Sequence, residues 1–184
     1  MRKSENQNIP NDDDCVNEIW HTGMRSHLTT KEERIELIET LIASIDSIDS
    51  KTYLNNLAYL LHAYFYCMDD YEKDKYIEAF LIKEYDGPFI LGEVLELIGI
   101  VFKGAPRNAK STIVTYVKSN ATICICDASA IISLCNCIRC LYDEIPISEQ
   151  KNMLLLLNDI KENNKFSFVN ESIELTIATM KGVI

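Results

Sequence analysis

Five cysteines lie close together in the second half of the sequence, at a spacing that allows three kinds of chemistry. Cys135, Cys137 and Cys140 fall within six positions, and Cys124 and Cys126 come shortly before them. Clustered thiols can bind a metal ion, carry out redox chemistry or pack as small buried hydrophobes. The structural element that carries them decides between these roles.

A helical segment around these cysteines favours packing. At about 100° per residue, Cys135 falls in the apolar arc between Ile131 and Ile138, whereas Cys137 and Cys140 point away from it in opposite senses. One helix therefore cannot direct all three thiolates at one ion. A structural zinc site also prefers ligand pairs separated by about two to four residues. We predict core packing, with no metal or other cofactor; a metal site and a redox site are the alternatives.

The other polar residues form no recognisable catalytic motif. His21, His27 and His62 are the only histidines, and a nucleophile, a base and an orienting group must converge in space, which spacing alone does not show. The sequence contains no nucleophile-elbow, zinc-protease, P-loop or dinucleotide-binding motif. We therefore expect a protein that is not an enzyme.

Negative charge is concentrated in the first half of the chain. The net charge is -10, and residues 1–99 hold 20 acidic residues against 9 basic ones, whereas residues 100–184 hold 8 against 9. An acidic chain is a poor direct ligand for nucleic acid. The asymmetry would instead steer a basic protein partner to one end of the molecule. The alternative is that the acidity serves only solubility.

Length and composition predict one soluble domain. The chain has 184 residues, of which 47% are hydrophobic and 25% charged, and no apolar run approaches the roughly 20 residues that cross a bilayer. The N-terminus lacks a secretory signal pattern, and seven cysteines, an odd number, favour a reducing compartment. We expect a cytoplasmic protein without membrane contact, with a flexible polar tail at residues 1–13 and a single helical-repeat domain at residues 14–184.

Helix signals follow one another after the tail. Thr30 and Glu33 form a capping-box pair, Asp127 and Ser148 stand at helix starts, and Pro88 lies in a first turn. These signals predict about nine helices joined by short turns. The clearest segments are residues 29–45, 53–68, 71–85, 86–102, 107–120, 127–144 and 148–163.

Three of the helical segments align with one another. Residues 54–68 match residues 91–105 at an offset of 37, and a further offset of 40 leads to the cysteine-rich segment. Apolar residues recur within one arc of about 100°. These core positions are Leu57, Leu60, Leu61 and Tyr64, then Val94, Leu97, Ile98 and Val101, then Leu134, Cys137, Ile138 and Leu141. The positions outside the core vary: Tyr59, His62 and Tyr66, then Glu96, Gly99 and Lys103, then Asn136, Arg139 and Asp143.

This period predicts an all-α fold of stacked antiparallel helix pairs. Helix-pair solenoids have similar periods, and their units must stack because one pair cannot bury its apolar face alone. The pattern resembles HEAT or armadillo repeats over residues 14–181. We therefore predict a short α-solenoid; the alternative is a bundle of similar helices that aligns with itself by chance.

The predicted partner-binding surface combines carboxylates with aromatic side chains near the N-terminal end. Three glutamates fall on the side of one helix opposite Ile38 and Leu41, two aspartates occupy a turn, and an aromatic ridge lies at helical spacing between them. Such a surface suits a cationic protein; packing of the ridge against an adjacent helix is the alternative. The predicted site residues are Glu32, Glu36, Glu39, Tyr59, His62, Tyr66, Asp69 and Asp70.

In size, acidity, helical-repeat pattern and single-domain layout, the chain resembles the immunity proteins of bacterial contact-dependent growth inhibition and related polymorphic toxin systems. The resemblance implies inhibition of a cognate toxin, commonly a cationic nuclease, by occlusion of its active site with negative side chains. We expect a one-to-one complex with a basic toxin nuclease domain. Its Lys and Arg residues would pair with the carboxylates, and its pockets would receive Tyr59 and Tyr66.

A second resemblance implies a different fold and role. The segment 127–144, "DASAIISLCNCIRCLYDE", is similar to a central helix of poxviral intracellular proteins that adopt the all-helical fold of apoptosis regulators. That resemblance implies a single central buried helix, a hydrophobic groove and modulation of host innate signalling.

Overall fold

The computed structural model describes residues 29–182, which contain eight α-helices and no β-strand. The prediction of an all-helical chain is thus confirmed for this range. The tail predicted at residues 1–13, any helix before residue 29, and His21 and His27 lie outside the described residues. The helices are α1 (Lys31–Ala43), α2 (Ser50–Tyr64), α3 (Asp70–Ile82), α4 (Gly87–Gly104), α5 (Arg107–Cys124), α6 (Ala128–Leu141), α7 (Ile147–Asn163) and α8 (Asn170–Met180).

The helix starts follow the capping signals with one exception. The Thr30 hydroxyl accepts a hydrogen bond from the Glu33 backbone N–H at 3.2 Å, and the Glu33 carboxylate accepts one from the Thr30 N–H at 2.7 Å. Asp127 caps α6 in the predicted way. Helix α7, however, begins at Ile147 behind Pro146, so Ser148 lies inside its first turn and is not its cap. Proline suits this place because the first helical N–H groups have no helical partner.

Helix α2 ends earlier than predicted. The sequence pattern extends the helix to residue 68, but the α-helix stops at Tyr64 and a 3-10 turn, Phe65–Cys67, follows. The Phe65 side chain is buried, and its ring centroid lies 5.6 Å from that of Tyr76 in α3. Anchoring Phe65 in the core turns the chain toward α3, so Tyr66 lies on this turn and not on a continuous helical ridge.

Two buried tyrosines hold α2 and α3 side by side. The Tyr53 hydroxyl donates to the Ala79 carbonyl oxygen at 2.9 Å, and the Tyr76 hydroxyl donates to the Leu57 carbonyl oxygen at 2.6 Å. The earlier residue of α2 thus meets the later residue of α3, which makes the two helices antiparallel. Each hydrogen bond also gives a partner to a buried tyrosine hydroxyl that would otherwise be unpaired.

Apart from contacts between consecutive helices, each helix mainly contacts the helix two places further along the chain. The odd-numbered helices contact one another in the order α1, α3, α5, α7, and the even-numbered helices do so in the order α2, α4, α6, α8. The largest of these contacts is between α4 and α6. Side chains on consecutive odd-numbered helices therefore share one side of the molecule.

Glycines permit the close contact between α4 and α6. A Cβ atom on Gly92 would lie 2.9 Å from the Ala130 Cα atom, and one on Gly99 would lie 3.3 Å from the Cys137 Cα atom. The prediction that Gly99 lies outside the core is wrong, because α6 covers this side of α4 and buries the residue. Cys135 and Cys137 are 0% and 1% exposed, so their predicted core packing is confirmed.

The buried side chains form one continuous hydrophobic cluster that runs through all eight helices. It contains every core position of the predicted repeat except Leu97, which is half-buried and packs against the cluster. Among residues 29–182, no helix is both long enough and apolar enough to span a membrane.

Candidate functional site

The exposed side of α1 carries three glutamates without a bound cation. Glu32, Glu36 and Glu39 are exposed, whereas Ile38 and Leu41 on the other side are buried. Within residues 29–182 no hydrogen bond or ion pair joins the three carboxylates to another side chain. Their negative charge is therefore available to a partner.

Two ion pairs fix this helix on α3. The Arg34 Nε atom lies 2.7 Å from Glu72 Oε1, and the two side chains are only 12% and 1% exposed. Near the start of both helices, Lys31 Nζ lies 2.5 Å from Asp69 Oδ2. Both pairs join residues 38 positions apart, so α1 and α3 run parallel. The hydrogen bond to Glu72 raises the pKa of the Arg34 guanidinium against the effect of its burial.

The two predicted aspartates differ in what they can still bind. Asp69 caps α3, accepting from the Glu72 N–H at 3.0 Å, and it also holds Lys31. The hydrogen bond from Lys31, followed by that from the Glu72 backbone, lowers the pKa of Asp69. Asp70 is exposed in the first turn of α3 with no ion pair in the described chain. Asp70 is thus available to a partner, whereas much of the charge of Asp69 is used internally.

The three aromatic-ridge residues occupy different environments. Tyr59 is half-buried on α2, its ring centroid lies 6.4 Å from that of Tyr64 in an edge-to-face contact, and burial raises its pKa to about 12. His62 is exposed one turn later. Tyr66 is 82% exposed on the turn that leads to Asp69. The structure thus places Tyr66 beside the aspartates along the chain, and Tyr59 partly in the packing between helices.

Helix α3 contributes acidic side chains that the sequence prediction omitted. The omitted residues are Asp74 and Glu78, which follow the predicted Asp70 at intervals of four residues, so that all three lie on one side of the helix. Tyr71, also omitted, is 54% exposed, with Lys31 Nζ 5.7 Å from its ring centroid. The four-residue spacing of acids in segment 70–78 was a usable signal, because it marks one helical face.

Two grooves flank α5 on the side formed by the odd-numbered helices. One, of about 370 Å³, lies between α3 and α5 and is lined by acidic and apolar side chains, among them Asp74, Glu78 and Ile82. The other, of about 640 Å³, lies between α5 and the start of α7. It contains charges of both signs, and the lysine that lines it, Lys110, is already paired with Glu144 on its other wall.

The three buried thiols offer little chemistry at neutral pH. Cys124, Cys135 and Cys137 are buried, and burial raises the pKa of each, that of Cys124 to about 12. A thiol of that pKa carries almost no nucleophilic thiolate. Within residues 29–182 no group of three or more His, Cys, Asp or Glu residues is arranged to hold a metal ion.

Comparison of the chain with models of known protein families, with curated proteins and with solved structures finds no match in any of the three.

Proposed function

We propose that this protein is a binding inhibitor of the immunity-protein type, which neutralises a cationic toxin, a nuclease domain in particular, in a one-to-one complex. The observation that carries the proposal is the unneutralised acidic side of α1 and α3. Glu32, Glu36, Glu39 and Asp70 are exposed and form no ion pair in the described chain. Nucleases bind phosphates through Lys and Arg, so carboxylates at these positions complement such an active site.

The buried Arg34–Glu72 pair supports this role because it fixes the two helices that carry the acidic side chains relative to each other. Both side chains are nearly inaccessible, and the Arg34 Nη1 group also donates to the Thr29 carbonyl oxygen at 2.9 Å. A preorganised set of charges avoids an ordering cost when a partner binds. Charge complementarity speeds encounter, and Tyr66, exposed beside the acids, supplies contact area that slows dissociation.

The proposal includes the arrangement of the helices as a short α-solenoid. The succession of contacts between every second helix supports it, as do the parallel direction of α1 and α3 and the antiparallel direction of α2 and α3. Stacked pairs present a broad side to a partner, which suits occlusion of an enzyme active site.

The contacts of α6 do not favour the apoptosis-regulator resemblance. That fold requires one central helix surrounded by the others. Helix α6 makes substantial helix contacts only with α4, α5 and α8 among the eight described helices. We therefore retain the inhibitor as the proposed function.

A panel of purified basic nuclease toxin domains tests the proposal. Inhibition of nuclease activity and binding at low and high salt are measured with the wild-type protein. Against a domain that is inhibited, the double variant Glu36→Lys with Asp70→Lys is expected to bind at least about tenfold more weakly, with a smaller dependence on salt, because two favourable charge contacts become repulsive.

A charge reversal elsewhere provides the control. Asp159 and Glu162 are exposed on α7 without ion pairs in the described chain, so Asp159→Lys with Glu162→Lys makes the same change in net charge far along the chain. Equal weakening by both double variants would refute the assigned surface. Failure of the wild-type protein to inhibit any basic nuclease would refute the function.

A further inference from the structure

The groove between α3 and α5 combines an apolar floor with an acidic rim. Its α3 wall consists of Asp74, Ile77, Glu78, Leu81 and Ile82, which recur at intervals of three and four residues and thus form one helical stripe. Ile77 is buried, Leu81 is half-buried, and Ile82 is 44% exposed although it is large and apolar. The exposed apolar surface therefore lies next to carboxylates.

Asp74 gives the groove a negative charge that no cation in the described chain compensates. Its Oδ2 atom accepts a hydrogen bond at 2.7 Å from the side-chain amide of Asn108 on α5, a neutral donor. Its Oδ1 atom is buried without a hydrogen-bond partner among residues 29–182. A carboxylate in a partly dehydrated wall produces a stronger field than one in open water. The groove therefore attracts a positive group even though Oδ1 is covered.

Glu78 is the carboxylate that a visiting group can touch. Its side chain is 53% exposed, and its one ion pair within residues 29–182, with Lys75 one turn earlier, is 3.3 Å long. The hydrogen bond to Glu78 is the main cause of the raised pKa of Lys75. Lys75 lies on the same helix as Glu78, and a carboxylate can accept more than one hydrogen bond. Glu78 can therefore also accept hydrogen bonds from a group above the groove.

We propose that this groove receives an arginine side chain of a basic protein partner, with the guanidinium on Glu78 above Asp74 and the aliphatic stem on Leu81 and Ile82. Arginine fits this combination because its guanidinium is weakly hydrated, pairs with carboxylates through two parallel hydrogen bonds and is carried on an apolar stem. The biological role of the groove rests on the proposed function. It extends the acidic surface of α1 and α3 by an anchoring position.

The test uses a peptide and requires no toxin. The probe is acetyl-Leu-Arg-Leu-Arg-Leu-amide, titrated at low salt into the isotopically labelled protein and followed by NMR. Amide shifts are expected to concentrate at residues 74–82 and 108–112. In the control peptide, citrulline replaces arginine, which keeps the shape and removes the charge. This peptide is expected to bind the protein at least about tenfold more weakly.

Matched variants separate the groove from general acidity. Asp74→Asn with Glu78→Gln removes both charges and keeps acceptor oxygens, including one for Asn108, and is expected to weaken binding about fivefold. Ile82→Ser is expected to weaken it about threefold. The controls are Asp159→Asn with Glu162→Gln, and Leu155→Ser, on α7, where Leu155 is 64% exposed; these should leave peptide affinity unchanged.

Three results would overturn the proposal: no measurable binding of the arginine peptide, equal binding of the citrulline peptide, or shifts centred on Glu36 with the groove variants unaffected. The outcome is separable from that of the proposed function. If the peptide binds in the groove but no basic nuclease is inhibited, the function fails and the groove remains. If the peptide does not bind but a nuclease is inhibited equally by the wild-type protein and the Asp74→Asn, Glu78→Gln variant, the groove fails and the function remains.

Discussion

The junction between α1 and α3 is held together differently from the junction between α4 and α6, although each joins a helix to the one two places along. Charges connect α1 to α3 through Arg34–Glu72 and Lys31–Asp69. At the α4–α6 junction, backbones approach closely at Gly92 and Gly99. The α1–α3 junction depends on matched charges. The α4–α6 junction depends on glycines, whose lack of side-chain atoms lets the two backbones approach.

This difference separates the acidic surface proposed to bind a partner from a mainly apolar contact that stabilises the fold. The α4–α6 junction buries thiols, glycines and aliphatic side chains, so dispersion and the hydrophobic effect favour it, and the Ser133 hydroxyl adds a hydrogen bond to Glu96 at 2.8 Å. The α1–α3 junction satisfies its buried charges internally and leaves Glu32, Glu36 and Glu39 outside. A protein can thus keep a strongly acidic surface where the helices beneath it are fixed by a compensated ion pair.

Thiol reactivity should show the largest contrast between the two regions. Cys67 is exposed on the turn before α3, whereas Cys137 is buried against α4 and burial raises its pKa. Iodoacetamide at pH 8 is expected to modify Cys67 at least about a hundredfold faster than Cys137, because Cys67 is accessible, whereas burial shields Cys137 and raises its pKa. Peptide mass spectrometry at successive times measures the two rates. Similar rates would mean that the α4–α6 junction opens readily in the folded protein.

Removing the positive partner of the buried pair should strongly destabilise the charged junction. Arg34→Met leaves Glu72, whose side chain is 1% exposed, without its cation, and is expected to lower the free energy of unfolding by about 3–5 kcal/mol. Urea denaturation followed by circular dichroism measures the loss. Arg107→Met is the control, because Arg107 is exposed and forms no ion pair within residues 29–182. An equal, small change in both variants would show that the pair does not hold α1 on α3.

A single methyl group should disturb the apolar junction. Gly92→Ala places a Cβ atom 2.9 Å from the Ala130 Cα atom, which forces the helices apart and is expected to destabilise the fold by about 1–3 kcal/mol. Thermal unfolding provides the measurement. Gly99→Ala, with 3.3 Å to the Cys137 Cα atom, should have a smaller effect. If helix propensity alone determined the stability of the variants, both would be stabilised by up to about 1 kcal/mol. Such a result would contradict the close contact between α4 and α6.

The cap of α6 should have the smallest effect. Asp127 accepts from the Ala130 N–H at 2.9 Å, so Asp127→Ala is expected to cost about 1 kcal/mol in the free energy of unfolding, and Asp127→Asn less. Hydrogen bonds from Ser129 and then Ala130 lower the pKa of Asp127 below 3.8. The folded chain therefore binds this proton more weakly than the unfolded chain, and the stabilisation exists above pH ~4 and is lost at lower pH.

Unfolding measured from pH 5 to pH 2 tests this dependence. Asp127→Asn removes the titrating group and retains an acceptor for the cap, so its stability should fall less steeply with decreasing pH than that of the wild-type protein. Equal slopes would show that Asp127 does not contribute to the acid sensitivity.

Local signals predicted the elements more accurately than their ends or their contacts. The capping box of Thr30 and Glu33, the start at Asp127 and the burial of Cys135 and Cys137 follow from short-range spacing. The end of α2 was misplaced because the packing of Phe65 against Tyr76 is a contact between different helices. Periodicity within α2 could not contain that information.

The sequence predicted the candidate-site residues on α1, but it predicted only some of those on α3. A glutamate stripe opposite a buried stripe marks a surface on any amphipathic helix, so Glu32, Glu36 and Glu39 needed no tertiary information. The internal use of Asp69 by Lys31, and the partial burial of Tyr59, depend on neighbouring helices. The groove at Asp74 and Glu78 requires α5 as its second wall.

The sequence by itself determined that this chain is helical, where most helices begin, and that its negative charge gathers in the first half. These properties depend on residues within a few positions of one another or on composition alone. Only the tertiary structure decided that Gly99 is buried, that Asp69 is neutralised internally and that α3 and α5 enclose a groove. Each of these depends on which helix lies two places along the chain, because packing against that neighbour determines which side chains keep contact with water.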